Sequence, residues 1–225
     1  MKVLFVDARA SFDITELKNK ILSKFKKGKF GLVANIQFLP QLEEIKQILP
    51  NSIVAGQVVG CNVLNTIKIK DKVDAFIYIG SAYFYPIEIA AKTKLPVYIA
   101  NPLTNEISLV SKKEVEEYEK KKKGKILKFL SIKKIGILVS TKPGQENMKL
   151  ALMIKEKLNK ESVIGISNTL NPESLENFSD VEYWINTACS RIEHPKIINF
   201  EDIPEEYLNV KPKVESFRPN LIKAK

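Results

Sequence analysis

Two cysteines are the residues of this chain best suited to chemistry. Cys61 closes the run "VAGQVVGCN" (54–62), and Cys189 sits 128 positions later in "VEYWINTACSRIE" (181–193). Each follows an apolar, strand-like stretch that switches abruptly to Gly, Asn, Thr or Ser. A thiol in such a place can join a disulfide, ligate a metal, act as a nucleophile, or fill space as a small buried group. The opening "MKVLFVDARA" starts like a β-strand and shows no small-residue cleavage pattern, so the chain reads as cytoplasmic. Thiols stay reduced there, which disfavours a disulfide. His194 is the lone histidine. Without a second histidine nearby it reads as a surface imidazole rather than a zinc ligand or proton relay, and no Ser-His-Asp arrangement can be assembled around it. The acidic residues are scattered over helix surfaces and show no paired carboxylates.

The elements that must position these residues alternate between strand-like and helix-like segments, the pattern of an α/β protein with parallel sheets. "KVLFVDA" reads as a first strand. Asp13 with Glu16 forms a variant capping box, and Ile14, Leu17, Ile21, Leu22 and Phe25 then share one helical face. "FGLVANI", "SIVAGQVV", "AFIYIGS" and "LPVYIAN" continue as short buried strands, with helices over "LEEIKQIL" and from about Pro86. Residues 111–133 read as a helical connector, opened by a Ser111–Glu114 capping box and broken at Gly124. Beyond it come "KIGILVS" as strand, "PGQENMKLALMIKEKL" as helix with Leu150, Ile154 and Leu158 in register, then "SVIGIS", "VEYWINTA" and "KIINF" as strands. From Val210 the tail reads as extended or poorly packed. The expected organisation is therefore two similar α/β domains, 1–110 and 134–225, each with a Rossmann-like parallel sheet flanked by helices, joined by the 111–133 connector.

Ligands of open parallel sheets bind beyond the carboxyl ends of the strands. Four such ends change from apolar to small and polar residues: "GQVVGCN" (56–62), "IGSAYFYP" (79–86), "STKPGQ" (140–145) and "NTACSRI" (186–192). Gly60, Gly80 and Gly144 would allow tight turns and close backbone approach. None of these loops matches a Walker A or dinucleotide fingerprint, and "STKPGQ" alone equally suits an ordinary strand-to-helix turn or a small-anion site. The net charge is +10, yet only Arg9, Arg191 and Arg218 among the 36 basic residues are arginine. Base-edge readout favours arginine, so direct sequence-specific nucleic-acid binding is not expected. No apolar run approaches the roughly 20 residues that span a bilayer, and no membrane partner is expected.

Taken in order, "GQVVGCN", "IGSAYFYP", "VYIANP", "VSTKPGQ" and "NTACSRI" resemble the signatures of the archaeal diphthamide synthase family, from "VLFVDARAS" to about residue 200. The resemblance implies three similar α/β domains, each giving one cysteine to a central [4Fe-4S] cluster. Cys61 matches the cysteine of the middle domain and Cys189 that of the last. Thiolates are the usual holders of such clusters, and ligands from separate domains need no CxxC run. It further implies an S-adenosylmethionine-dependent transferase. The reduced cluster passes an electron to the sulfonium, the bond to the methionine γ-carbon breaks, and the 3-amino-3-carboxypropyl radical adds to a histidine of translation elongation factor 2. Gln57, Ser81, Ser140, Thr141, Gly144, Gln145 and Arg191 are the candidates for the cofactor site, with no catalytic residue beyond the cluster ligands.

The chain departs from the family pattern in three places. The first domain and its cysteine are absent, which implies a separate chain that supplies them and an oligomeric assembly. Ser190 stands where the family continues with proline, and Tyr85 where "GSxxFHP" has histidine. The departures keep open a non-catalytic subunit that docks elongation factor 2 or a paralogous catalytic subunit. A thiol-independent α/β protein binding an anion through "STKPGQ" also remains open.

Overall fold

The computed structural model describes residues 4, 6, 8–11, 13–59 and 62–208. The chain divides into two compact units, one over Val6–Glu119 and the other made mainly of the residues from Lys120 onward. Each is an α/β unit built on its own sheet, as the alternation of strand-like and helix-like segments requires.

The first unit runs α1 (Thr15–Lys24), β1 (Phe30–Ala34), α2 (Gln41–Ile48), β2 (Ile53–Gln57), α3 (Leu64–Ile67), β3 (Ala75–Ile79), α4 (Phe84–Thr93), β4 (Val97–Asn101) and β5 (Glu106–Leu109). Its sheet has the order β2-β1-β3-β4-β5, parallel throughout except for the antiparallel β4–β5 pair. The central strands "FGLVA" and "AFIYI" are buried along their whole length, which is why they read as unbroken apolar runs rather than alternating ones. Leu17, Ile21, Leu42 and Ile45 of α1 and α2 pack on Leu32, Ile77 and Ile79. On the opposite face Ile89 of α4 packs with Val33, Phe76 and Tyr78.

Four expectations for this unit change. Of the strand expected over residues 2–8, residues 2, 3, 5 and 7 lie outside the described residues; Leu4, Val6 and Ala8 are exposed and belong to no strand. Asp13 accepts from the Thr15 N–H at 2.9 Å and the Thr15 hydroxyl at 2.7 Å, so α1 starts one step later than a box at Asp13 would place it. Glu16 instead meets Lys20 one turn on, at 2.7 Å. Leu22 turns outward while Ile14, Leu17, Ile21 and Phe25 are buried. β5 is an added edge strand; in "EISL" only Ile107 packs on the core, too little apolar content to announce a strand.

α5 (Lys112–Ser131) crosses the division between the units and is continuous through Gly124, where a break was expected. Glycine costs a helix about 1 kcal/mol relative to alanine. Burial of Phe129, packing of Ile126 and the Lys122–Asp202 ion pair at 2.7 Å offset that cost. The Ser111–Glu114 box forms: the Ser111 N–H donates to the Glu114 carboxylate at 2.7 Å, and the Glu114 N–H donates to the Ser111 hydroxyl at 3.2 Å. The Ser111 hydroxyl, donating to the same carboxylate at 2.6 Å, and secondarily the Ser111 N–H hold the Glu114 carboxyl below its usual range.

The second unit continues with β6 (Lys134–Ser140), α6 (Met148–Lys157), β7 (Glu161–Ser167), β8 (Tyr183–Asn186) and β9 (Ile197–Asn199). Its order is β7-β6-β8-β9, all parallel. The winding repeats that of the first unit's parallel strands, with the first strand between the second and third and the fourth outside the third. α6 begins at Met148 rather than at Pro143, because Pro143 and Gly144 turn the chain first: Gly144 has φ +80° and the Gln145 N–H donates to the Lys142 carbonyl at 3.0 Å. Phe129, Ile154, Ile137, Tyr183 and Ile185 share one core. On the other face Trp184 lies against Gly136 and Gly165, and a Cβ at Gly136 would fall 2.1 Å from the indole. The tail expected from Val210 lies outside the described residues. Among the described residues no helix is long and apolar enough to cross a membrane.

Two glycine substitutions should act with opposite signs. Gly136→Ala, forced against Trp184, should destabilise the second unit by about 1–3 kcal/mol or more. Gly124→Ala, whose Cβ meets nothing within 4 Å, should stabilise by about 1 kcal/mol. Urea unfolding followed by fluorescence of Trp184, the lone tryptophan, measures both.

Burial, and secondarily the Asp202 carboxylate, push the Tyr183 phenol from 10.0 up to about 12. The neutral phenol is the form the fold prefers. Its contribution is therefore complete below pH 10 and is lost as pH rises toward 12, by at most roughly 3 kcal/mol. Tyr183→Phe should lose less stability than wild type over that window; identical alkaline slopes would refute the assignment.

Candidate functional site

Parallel pairing places the carboxyl ends of β1–β4 on one edge of their sheet and those of β6–β9 on one edge of theirs. Within each sheet the chain first winds outward to one side and then returns to the other, which opens a crevice beyond β1 and β3 and another beyond β6 and β8.

In the first unit a cavity of about 490 Å³ lies at this edge, lined by Arg9, Asn35, Gln37, Gln57, Val59 and Tyr85 among others. The Ala10 N–H donates to the Gln37 carbonyl at 2.9 Å and the buried Gln41 amide donates to the Ala10 carbonyl at 3.2 Å, which fixes residues 8–10 along the rim. Tyr85 stacks near Phe84 and Tyr78, with ring centroids 3.8 and 5.8 Å away, and gives the cavity an aromatic wall. Gly80 cannot be replaced without shifting Tyr78, whose hydroxyl would be 2.5 Å from an added Cβ. Ser81 is exposed at the end of β3 and is not among the cavity's lining residues. Cys61, with Gly60, lies outside the described residues. Val59 and Asn62, on either side, bond to one another, the Asn62 N–H donating to the Val59 carbonyl at 2.7 Å.

In the second unit Cys189 is a free, half-buried thiol on the loop after β8. Thr187 ties the start of this loop to the neighbouring strand, its N–H at 3.2 Å and its hydroxyl at 2.7 Å from the Leu138 carbonyl of β6. The buried Asn186 side chain donates to the Cys189 carbonyl at 2.7 Å and to Asn199 Oδ1 at 2.8 Å, and accepts from the Ala188 N–H at 3.0 Å. Asn199 in turn donates to the Ser190 carbonyl at 2.8 Å. Sequence reasoning missed Thr187, Asn186 and Asn199. The available signal was an asparagine closing each of "YWIN" and "IIN", at positions that the strand pattern would bury.

Ser140 ends β6, the strand beside β8, and Thr141, Gly144 and Gln145 follow it, so they share an edge with Cys189 and Arg191. The Ser140 hydroxyl is nearly fully buried. It donates to the Asn168 carbonyl at 3.2 Å and accepts from the Lys142 N–H at 3.1 Å, and so braces the loop. Thr141 and Arg191 are exposed and Gln145 is half-buried. His194 is half-buried, with Nδ1 accepting from the Lys196 N–H at 3.2 Å. A second cavity of about 270 Å³ includes Ser167, Leu170, Phe178, Trp184 and Ile192 in its walls.

A thiol on a fixed loop at a sheet's carboxyl edge fits, in donor type and placement, a soft thiolate ligand of an iron-sulfur cluster. The number of donors is short: among the described residues no three His, Cys, Asp or Glu side chains gather as a metal site.

A family model described as "Putative diphthamide synthesis protein" matches residues 1–202. The 2-(3-amino-3-carboxypropyl)histidine synthase of Pyrococcus horikoshii is 28% identical over 207 residues, covering 84% of this chain and 58% of the relative. That of Methanocaldococcus jannaschii is 28% identical over 207 residues, covering 85% and 56%. In Schizosaccharomyces pombe the relative is named subunit 1 of this synthase and is 28% identical over 217 residues, covering 85% and 48%. The crystal structure of Dph2 from Pyrococcus horikoshii with a 4Fe-4S cluster superposes with a TM-score of 0.74 at 25% identity, over 91% of this chain and 64% of that one. The chain thus spans about half the length of the curated relatives it matches.

Proposed function

The chain belongs to the family of diphthamide synthesis proteins, and from that premise we propose that it is one subunit of a split 2-(3-amino-3-carboxypropyl)histidine synthase. Its reaction is transfer of the 3-amino-3-carboxypropyl group from S-adenosylmethionine to a histidine of translation elongation factor 2, the first step of diphthamide biosynthesis. The observation that carries this reading is Cys189: a free thiol on a hydrogen-bonded loop at the carboxyl edge of the second sheet, beside the β6 loop. A cluster-bearing relative with the same fold supports it.

Cys61 and Cys189 would each give one thiolate to a [4Fe-4S] cluster, which when bound supplies one electron to the sulfonium of S-adenosylmethionine. This chain has two cysteines. A site of three cysteines needs another thiolate, and we place it on a separate chain that carries the family's first domain. Ligand pockets commonly enclose about 300–1,000 Å³. The cavity at Gln57 and Tyr85, about 490 Å³, falls in that range, and the one beside Trp184, about 270 Å³, falls below it. Gln57 is accordingly the first-unit residue assigned to the cofactor, its amide able to donate to a carboxylate or accept from an amine. Thr141, Gln145 and Arg191, together with Ser81, are the remaining polar contacts. Ser140 and Gly144 shape the β6 loop that presents Thr141 and Gln145.

The aromatic Tyr85 and the unusual Ser190 favour one competing reading, a non-catalytic subunit that docks elongation factor 2 or a paralogous catalytic subunit. One experiment separates the two. Anaerobic co-expression with the chain that carries the third cysteine should yield a brown complex with iron-sulfur absorbance, and Cys61→Ala and Cys189→Ala should each abolish it. Iron binding that survives in the double variant, or turnover without either cysteine, would favour the docking subunit.

A further inference from the structure

Asn186 and Asn199 stand opposite each other in register across β8 and β9, 1% and 9% exposed. Burying two primary amides is unfavourable unless their groups are satisfied. Here the satisfaction comes largely from the Cys189 loop. Asn186 uses both N–H groups, on the Cys189 carbonyl and on Asn199 Oδ1, and its own oxygen takes the Ala188 N–H. Asn199 passes the link on to the Ser190 carbonyl. Three consecutive loop residues are therefore held by two side chains. A pair of apolar residues could fill the same space but could hold none of these backbone groups.

The direction of the bonds matters as much as their number. The Cys189 carbonyl is drawn toward Asn186 and also accepts from the Ile192 N–H at 3.0 Å. A trans peptide sets its N–H opposite its C=O, so the Ser190 N–H points away from the amide pair. Carbonyl dipoles turned inward and an N–H turned the other way make a loop suited to a negatively charged group on its outer side. Hydrogen bonds from outer groups of this kind tune the potential of thiolate-bound clusters.

We propose that Asn186 and Asn199 are positioning residues for Cys189, an amide clasp that fixes the loop so that thiolate and Ser190 N–H face an anionic iron-sulfur core. The proposal deepens the functional reading above and rests on it. The clasp itself is testable without a cluster. In the full apo chain, iodoacetamide labelling followed by mass spectrometry gives the rate at Cys189 relative to Cys61. Asn199→Ala should raise that ratio roughly fivefold, the change expected when one net hydrogen bond stops opposing local opening. Asn199→Ser should do so less, and it serves in place of the alanine variant if that one fails to fold. Leu158→Ala, a core truncation in the same unit at the end of α6 and so at the opposite, amino edge of the sheet, should leave the ratio unchanged. In the loaded complex, Asn199→Ser should shift the midpoint potential and the electron paramagnetic resonance signature of the reduced cluster. An unchanged ratio in both Asn199 variants, or an equal rise in Leu158→Ala, overturns the clasp. A raised ratio in a complex that takes up no iron upholds the clasp and overturns the cluster reading, so the two failures are distinct.

Discussion

Parallel pairing is the constraint on which the rest of this molecule depends. Once β1–β4 run one way, every loop that leaves their carboxyl ends reaches the same edge, and β6–β9 repeat the arrangement. Chemistry-bearing residues far apart in sequence can then be gathered by topology. Ser140 and Cys189 are separated by 49 positions, a spacing that suggests nothing by itself, yet Ser140 closes β6 and Cys189 lies on the loop after β8, the adjacent strand. The same winding in both units gives each sheet one crevice, at equivalent places between its first and third strands.

Within that frame, the polar groups near the candidate site divide into those that are buried and those that are exposed. Ser140, Thr187, Asn186 and Asn199 are buried and spend their hydrogen bonds on backbone and, for the two asparagines, on each other. Thr141 and Arg191 are exposed on the same edge. A rigid buried layer beneath a more accessible one is what a site needs if its ligands are to be held without reorganisation. Trp184 adds to the rigidity from the face of the sheet, because Gly136 and Gly165 let the indole lie directly on the backbone.

Much of this was legible in the sequence, and the misses have physical reasons. The buried strands were visible because both of their faces are covered, which leaves runs such as "AFIYI" without polar interruption. The Ser111–Glu114 box was visible because its chemistry is local. β5 was not, since an edge strand with one packed residue has almost no apolar signature. Gly124 misled because intrinsic propensity is a weak force beside the packing of Phe129 and Ile126. Asp13 misled because its carboxylate prefers the nearer Thr15 groups to a cap three residues on. Asn186 and Asn199 escaped notice because their pairing depends on strand register, a property of the fold rather than of their 13-residue separation in the chain. The cysteine loops stood out by their abrupt change of polarity, and the family to which those loops pointed is the one the chain belongs to.

The central claim is that Cys61 and Cys189 are ligands of one cluster. The chain has no other cysteine, so its two thiols can be addressed without mutation. Dibromobimane becomes strongly fluorescent only when it bridges two neighbouring thiols. Applied anaerobically to the apo complex with the partner cysteine replaced by serine, it should yield a fluorescent chain with Cys61 and Cys189 joined, as peptide mapping would show. A chain alkylated separately at each thiol, with no bridged product, would contradict a shared site.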